Sequence, residues 1–212
     1  MPLLASTRKR TPTFDSKLLH LLAAAARVFA DEGFDRASMR RIAAESGVSL
    51  AGIYHYVASK DELLYWIQLH TFDSLSRGLD RCLAGVVEPR ARLAAAVRNH
   101  VGHFGANMAE LRVCARELET LQGEAYREVH EIRRAYFATV HGIVAELQAT
   151  DGAVLDSWLA TASLFGMLNW FYQWYDPKRS RVSLDELAAH QSRLFLEGYV
   201  GASSGRDDRG GA

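Results

Sequence analysis

Hydrogen-bonding and cationic side chains gather between residues 38 and 60, where the helical pattern of the chain is interrupted twice. They include hydroxyl, guanidinium, imidazole and ammonium groups: Ser38, Arg40, Arg41, Ser49, Tyr54, His55 and Lys60. These groups donate hydrogen bonds and positive charge, and they form no nucleophile–base pair at a recognisable spacing. Free backbone N–H groups of a helix that starts at Ser38, with Arg40 and Arg41 beside them, would bind a phosphate. The stretch therefore predicts noncovalent binding of an anion.

Three predicted helices position these groups. The first runs from Asp15 to the stop at Gly33, the second from its cap Ser38 to Gly47, and the third from its cap Ser49 to about Tyr56. A helix of about seven residues is marginal alone, so its neighbours must hold it. The apolar residues available for this packing are Leu22, Val28, Phe29, Ile42, Ala43, Val48 and Ile53. Two helices joined by a tight glycine turn are the helix-turn-helix arrangement.

The third helix is expected to present small or polar residues at its start, where it would press into a DNA major groove. These residues are Ser49, Leu50, Ala51, Gly52, Tyr54 and His55. A helical hairpin with a glycine turn is also common in bundles that bind no DNA. The arrangement alone therefore leaves both interpretations open.

The stretch "AARVFADEGFDRASMRRIAAESGVSLAGIYHYVASKDELL" resembles the DNA-binding domain of TetR-family transcriptional regulators, over about residues 18–68. The shared order is helix, Gly-Phe turn, helix, Gly-Val-Ser turn, recognition helix and Ser-Lys-x-Glu-Leu. The resemblance implies DNA-facing roles for Ser38, Arg40, Ser49, Ala51, Gly52, Tyr54, His55 and Lys60, with Tyr54 and Lys60 on phosphates. Leu50 and Val57 depart from the usual residues, and Leu50 is expected to touch a thymine methyl. The operator sequence therefore cannot be taken from relatives.

The rest of the chain is expected to be helical throughout. Predicted helices follow at 59–83, 89–105, 108–121, 124–148, 153–175 and 183–200, and capping boxes open two of them, at Ser59–Glu62 and Ser183–Glu186. The predicted organisation is a flexible basic arm (1–14), a helix-turn-helix DNA-binding domain (15–60), a ligand-binding and dimerisation domain (61–200) and a disordered tail (201–212). The predicted fold class is all-α: an N-terminal three-helix helix-turn-helix domain and a C-terminal helical bundle.

The predicted helix 153–175 is apolar nearly all round and therefore has no face to give to water. One side is expected to meet a second copy of the chain and the other to line a pocket, although the sequence does not assign the two sides. A family-like dimer would use the last two helices, and the candidate interface residues are Trp158, Phe165, Leu187, Leu194 and Phe195. The candidate ligand-binding residues are Phe104, Met108, Arg112, Arg116, Tyr136, Asn169, Trp170 and Gln173.

Several of these candidates have an alternative interpretation. Asn169 and Gln173, one turn apart, would bond either a ligand or a neighbouring helix, because a buried polar group needs a partner. Arg112 and Arg116 would hold an anionic ligand or pair with Glu119 at the surface. Each aromatic residue in the set would equally serve in plain core packing.

Two stretches of the C-terminal half resemble TetR-family regulators that respond to acyl-CoA thioesters. They are "GMLNWFYQWYDP", followed by "RLFLEGY", and "RELETLQGEAYREVHEIRRAYFATV". The resemblance implies a repressor that a hydrophobic effector such as an acyl-CoA releases from operator DNA, in fatty-acid or steroid breakdown. The alternatives are a member that senses an uncharged aromatic or drug-like ligand and controls efflux, and a helical interaction module without DNA binding.

Composition and charge limit the remaining function classes. Net charge is zero, but residues 1–60 hold nine Lys/Arg against five Asp/Glu, which suggests a basic front. Cys82 and Cys114 are expected to be buried thiols of a reducing compartment. The sequence has no apolar run long enough to span a membrane and no recognisable signal sequence, so we expect a cytoplasmic protein without membrane contact. His100 and His103 share a helical face but lack further ligands, and we expect surface residues rather than a metal site. No cofactor and no enzymatic activity are predicted.

Overall fold

The computed structural model describes residues 12–151 and 155–201, and the described residues contain helices and no strand. The α-helices are α1 Pro12–Glu32, α2 Met39–Ser46, α3 Leu50–Ile53, α4 Lys60–Leu83, α5 Pro89–Ala106, α6 Met108–Arg116, α7 Gly123–Asp151, α8 Ser157–Trp170 and α9 Leu184–Gly201. A 3-10 helix, Phe171–Gln173, follows α8. The all-α prediction is confirmed.

Several helix ends differ from the predicted ones. The first helix begins earlier, at Pro12, because proline suits the first helical position. The third helix is only four residues long, since the N–H groups of His55 and Tyr56 turn to carbonyls three residues back. The predicted helix 153–175 is replaced by α8 and the 3-10 helix. Residues 1–11 of the predicted arm and 202–212 of the predicted tail lie outside the described residues.

The described chain divides into two compact units. Unit 1 contains the residues up to Asp73 together with Asn107–Arg133, and unit 2 contains Ser74–Ala106 together with the residues from Arg134 onward. The chain passes between the units three times: within α4, between α5 and α6, and within α7. Among the described helices, none is both long and apolar enough to cross a membrane.

Unit 1 is built on one hydrophobic core that α1 to α4 share with α6 and the first half of α7. Leu21, Ala25, Ile42, Ile53, Leu63 and Leu64 are fully buried in it. Val113 of α6 and Val129 of α7 belong to the same core. The helix-turn-helix elements therefore rest on residues well outside the predicted 15–60 segment.

Unit 2 is built around the pairing of α5 with α9. The two helices approach closely at Gly105, where a Cβ atom would lie 2.2 Å from Cδ2 of Leu184. A side chain at position 105 would require Leu184 to move, because real Cβ atoms do not approach another heavy atom so closely. The start of α9 is fixed by its capping box: Ser183 Oγ accepts from the Glu186 N–H at 3.2 Å, and Glu186 Oε2 accepts from the Ser183 N–H at 2.8 Å.

Candidate nucleic-acid interface and effector site

Side-chain caps fix both helices of the predicted helix-turn-helix. Ser38 Oγ accepts from the Arg41 N–H at 3.2 Å at the start of α2, and Ser49 Oγ accepts from the Gly52 N–H at 3.0 Å at the start of α3. Between them Gly47 takes a left-handed conformation with a φ of 67° and ends α2. Both predicted caps and the glycine turn are confirmed. Each serine oxygen thus accepts one N–H of its own helix. The other backbone N–H groups of the first turn have no partner within the helix.

The short helix α3 has one buried side and one solvent-facing side. Ile53 is fully buried in the unit 1 core, and Val57 just after α3 is nearly so. Ser49, Ala51, Tyr54 and His55 are exposed, and Leu50 and Gly52 are partly exposed. The core therefore fixes α3 while its first turn is presented to the outside, the arrangement that a recognition helix needs.

The two predicted phosphate-binding arginines differ in their surroundings. Arg41 donates to Glu32 (Nε to Oε1, 2.9 Å) and to Glu45 (Nη1 to Oε2, 3.3 Å), and its hydrogen bond to Glu32 raises the pKa of Arg41. Arg40 is exposed and forms no hydrogen bond or ion pair with any residue that the structure describes. Arg40 is therefore the more available cation of the pair.

Lys60 has intrachain partners that the sequence does not indicate, and its predicted phosphate contact stays a prediction. Nζ donates to the carbonyl oxygens of Phe34 at 2.7 Å, Asp35 at 3.3 Å and Ala37 at 3.2 Å, and it lies 4.3 Å from the centroid of the Phe34 ring. These carbonyls belong to the turn after α1, where the helix ladder no longer satisfies them. Three acceptors match the three N–H donors of an ammonium. Lys60 thus fastens the α1–α2 turn to the start of α4.

An aromatic cluster surrounds His100 inside unit 2, where α5, α7 and α8 meet. Ring centroids lie 4.8 Å from His100 to Phe104, 5.9 Å to Tyr136 and 5.7 Å to Phe165. Phe165 also packs on Phe137, with 5.3 Å between centroids. His100, Phe104 and Tyr136 are almost completely buried. The cluster offers an apolar environment with few polar atoms, the usual composition of a small-molecule site.

The polar atoms of this cluster are those of His100 and its neighbours. His100 Nδ1 lies 3.2 Å from the hydroxyl oxygen of Tyr136. Burial lowers the pKa of His100 to about 3, against the smaller opposing effects of the Asn169 side chain and the Leu168 carbonyl. Although these two groups lie near the ring, Nε2 forms no hydrogen bond of ordinary geometry with a described residue. The imidazole is therefore neutral at physiological pH.

The predicted ligand residues belong to both units. Phe104 and Tyr136 lie in the His100 cluster, and Asn169 lies beside it. Trp170, the last residue of α8, is 59% exposed, and Gln173 in the following 3-10 helix is also exposed, so both predicted pocket positions lie at the surface of the described chain. The remaining candidates, Met108, Arg112 and Arg116, belong to α6 in unit 1.

The predicted dimer residues also separate into two groups. Trp158 and Leu194 are more than half exposed and remain available to a partner. The cluster described above uses Phe165 within the subunit, while Leu187 and Phe195 are buried. Leu187 therefore offers little surface to a partner, whereas Phe165 is partly exposed and Phe195 lines the groove between α8 and α9, so the predicted interface stays a prediction. Leu155 and Leu159, which the predicted interface omits, are exposed along the same groove of about 390 Å³ between α8 and α9 that Leu194 lines.

His100 is the residue that sequence reasoning missed. A histidine between exposed Arg98 and Gly102 has the pattern of a surface position, but His100 is only 2% exposed. The available signal is its spacing from Leu93, Val97 and Phe104, which places it on the apolar face of α5. Among the described residues, no group of His, Cys, Asp or Glu side chains has the arrangement of a metal site.

Comparison with known proteins identifies two families along the chain. Residues 21–65 match the family described as "Bacterial regulatory proteins, tetR family", and residues 86–199 match the family described as "Tetracyclin repressor-like, C-terminal domain". The second match alone covers more than half of the chain.

Two curated relatives are named as regulators. The HTH-type transcriptional activator FasR of Mycolicibacterium smegmatis is 37% identical over 83 residues, which are 39% of this chain and 38% of FasR. The fatty acid metabolism regulator protein of Bacillus subtilis is 22% identical over 156 residues, which are 72% of this chain and 80% of that protein. The chain thus spans little more than a third of FasR and four fifths of the second relative.

Solved structures share the whole fold. A TetR-family transcriptional regulator from Bordetella parapertussis 12822 is 27% identical and superposes with a TM-score of 0.78, covering 87% of this chain and 96% of its own. AibR, solved in complex with isovaleryl coenzyme A and operator DNA, is 24% identical with a TM-score of 0.74, covering 84% and 97%. The helix-turn-helix geometry, the family matches and these superpositions agree, and the chain belongs to the TetR family of transcriptional regulators.

Proposed function

We propose that the protein is a homodimeric, cytoplasmic repressor that binds operator DNA through α2 and α3 and is released by a hydrophobic acyl-CoA. The observation that carries the DNA-binding part is the geometry of α3. Its buried side is anchored by Ile53, its start is capped by Ser49, and its first turn faces solvent with Ala51, Tyr54 and His55. A helix start held in this way supports major-groove contact.

A gel-shift experiment tests DNA binding directly. Purified protein is mixed with the DNA fragment upstream of its own coding sequence, because regulators of this kind are often encoded beside the genes that they control. The matched control is a fragment of equal length and base composition in scrambled order. We expect retardation of the upstream fragment at nanomolar protein, while the scrambled fragment requires at least about 10³-fold more. Equal affinity for both fragments would contradict sequence-specific binding.

The acyl-CoA part draws support from the relatives and from the His100 cluster. One relative is named for fatty-acid metabolism, and one structure that shares the fold was solved with isovaleryl coenzyme A. The aromatic rings around His100 suit an aliphatic or alicyclic acyl chain. A ligand shifts a regulator only by its difference in affinity for the bound and released states, so the effector must favour the released state.

Titration of the protein–DNA complex tests the effector. Acyl-CoAs of increasing chain length are added to the preformed complex, with free coenzyme A and the corresponding free acids as controls. We expect one range of chain lengths to dissociate the complex and the controls to leave it intact. If free coenzyme A acts equally well, the acyl chain is not recognised and the effector proposal is wrong.

One relative, FasR, is named an activator, and this name favours activation as the second candidate function. Repression and activation are separated by a transcription assay on the same upstream fragment. A repressor lowers transcription from the promoter and the effector restores it. An activator raises transcription, and removal of the protein abolishes it.

A further inference from the structure

We propose that His100 recognises the effector by donating a hydrogen bond from Nε2 to an uncharged carbonyl oxygen. The inference rests on the proposed function in one respect, namely that the effector enters unit 2. It goes further by naming the recognising atom and the chemical class: a thioester, ketone or ester carbonyl, and not a carboxylate.

Aromatic rings enclose the imidazole of His100. His100 on α5 meets Phe104 on the next turn, Tyr136 from α7 and Phe165 from α8, with ring centroids 4.8 to 5.9 Å away. The residue is 2% exposed. A polar ring held among three aromatic rings loses its hydration, so each of its nitrogens needs a partner within the fold or in a ligand.

The contact with Tyr136 determines which nitrogen of the His100 ring carries the proton. The Asn99 amide nitrogen donates to the Leu75 carbonyl at 3.0 Å, and the Asn99 side chain also lowers the pKa of Tyr136 against the larger, raising effect of burial. A buried phenol O–H needs an acceptor within the fold. His100 Nδ1, 3.2 Å from the Tyr136 hydroxyl oxygen, serves as that acceptor. Neutral His100 must therefore carry its proton on Nε2.

The N–H at Nε2 of His100 is the donor that remains. The Nε2 atom is buried and forms no hydrogen bond of ordinary geometry with any described residue. A buried donor without a partner is costly, and a ligand acceptor that reaches it removes this cost. The neighbouring Asn169 side chain offers a second polar group beside the same position. Sites built around an unmet donor reject analogues that lack the acceptor.

A ligand carboxylate does not suit the position beside His100. Burial holds the pKa of His100 near 3, and nearby His103 lowers it further, so the ring offers a neutral donor and no positive charge. A carboxylate brought among Phe104, Tyr136 and Phe165 would lose its hydration without gaining a counter-charge from this ring. An uncharged carbonyl meets the donor at far smaller desolvation cost.

The test compares ligands that differ only in the carbonyl oxygen. Hexanoyl-CoA and its thioether analogue hexyl-CoA are titrated into the full-length protein, its His100→Phe variant and its His100→Gln variant by calorimetry. We expect the wild-type protein to prefer the thioester by about threefold to tenfold, the contribution of one neutral hydrogen bond. His100→Phe should bind both equally, and His100→Gln, which keeps an N–H donor, should recover part of the preference. Equal binding by the wild-type protein, or an unchanged preference in His100→Phe, would overturn the inference.

A second probe pair separates this inference from the acyl-CoA proposal. Cyclohexanone and methylenecyclohexane have similar shapes, but only the ketone has an acceptor. With the wild-type protein, long-range ¹H–¹⁵N correlation reports the His100 ring nitrogens, and we expect Nε2 to carry the proton and to shift more with the ketone. If no acyl-CoA binds but the ketone shifts Nε2, the acyl-CoA proposal fails and the His100 inference stands. A deprotonated Nε2, or equal shifts with both probes, would overturn the inference.

Discussion

The Nζ atom of Lys60 lies 2.7 Å from the carbonyl oxygen of Phe34 and 4.3 Å from the centroid of the Phe34 ring. The first residue of α4 thereby holds the turn that leads into α2, whose N-terminus is expected to face a DNA phosphate. We therefore expect Lys60 to affect DNA binding through the position of this turn.

The first prediction follows from that contact. Lys60→Met keeps the side-chain stem but leaves the carbonyls without their donor, so we expect the free energy of unfolding to fall by about 1–3 kcal/mol in denaturant titration. DNA affinity should fall for every sequence, while the slope of log K against log salt stays constant because no phosphate contact is lost. Lys178→Met, at an exposed lysine of unit 2, is the matched control. A slope smaller by about one would show that Lys60 contacts phosphate directly.

The second prediction separates charge from hydrogen bonding at the DNA interface. Arg40→Gln should weaken binding to all sequences and reduce the salt slope by about one, because Arg40 is the exposed cation without an acidic partner among the described residues. Tyr54→Phe should weaken binding about threefold to tenfold with little change in slope, since only a neutral donor is lost. The control Arg181→Gln removes the same charge from an exposed position in unit 2. An Arg40→Gln protein that keeps the full slope would contradict the assignment.

Local signals predict most of the helix-turn-helix, because its caps lie within a few residues of the groups that they satisfy. Ser38, Gly47 and Ser49 each act on their own helix end, so sequence spacing alone identifies them. The partner of Lys60 is 26 residues away in Phe34, and a helical period contains no information about it. The family resemblance implies a DNA contact for Lys60, whereas the structure shows its contacts with the turn after α1, which sequence spacing does not reveal.

The same limit explains the effector site. A helix that is apolar all round gives no sign of which side turns inward, and the structure turns Phe165 toward His100 while it leaves Trp170 exposed. The inward side depends on α5 and α7, which are distant in sequence. Likewise Val113 and Val129 join the core of unit 1, although a boundary drawn at residue 60 assigns them elsewhere.

The third prediction tests the close approach of α5 and α9. Gly105→Ala places a Cβ 2.2 Å from Leu184 Cδ2 and 2.9 Å from its Cγ, so either the Leu184 side chain or the helices must shift. We expect a loss of about 1–3 kcal/mol in the free energy of unfolding. Gly102→Ala on the same helix is the control, because nothing lies within 4 Å of its Cβ; there the helix propensity of alanine should stabilise by about 0.5–1 kcal/mol. Equal effects of the two substitutions would contradict the packing argument.

The fourth prediction concerns pH and the carboxyl group of Glu110 on α6. Burial raises its pKa to about 7 from the ordinary 4.5, although Arg27 lowers it in part. Between these values the folded protein keeps a proton that the unfolded chain has released, so this residue makes stability fall as pH rises through the window. We therefore compare the change in free energy of unfolding that Glu110→Gln causes at two pH values. This change should be about 2–3 kcal/mol more stabilising at pH 8 than at pH 4. Glu119→Gln, at an exposed carboxylate, should show no such difference.

The last prediction tests the proposed dimer through the groove between α8 and α9. Leu155, Leu159 and Leu194 are 48%, 60% and 56% exposed, and they line this groove of about 390 Å³ with Met167. Contiguous apolar surface of this kind usually marks a protein contact, and a two-fold contact would cover the groove of each copy with the same residues of the other.

Leu159→Arg places a charge in this surface and, by symmetry, in both copies at once. We expect sedimentation at micromolar concentration to change from dimer to monomer, while the helical circular dichroism signal is retained. A monomer reaches only one half-site, whereas two recognition helices about 34 Å apart bind both, so affinity for the operator should fall about 100-fold or more. Val87→Arg, at a residue 86% exposed and outside the groove, adds the same charge as the control and should remain dimeric. A Leu159→Arg protein that sediments as a dimer would place the interface on another surface.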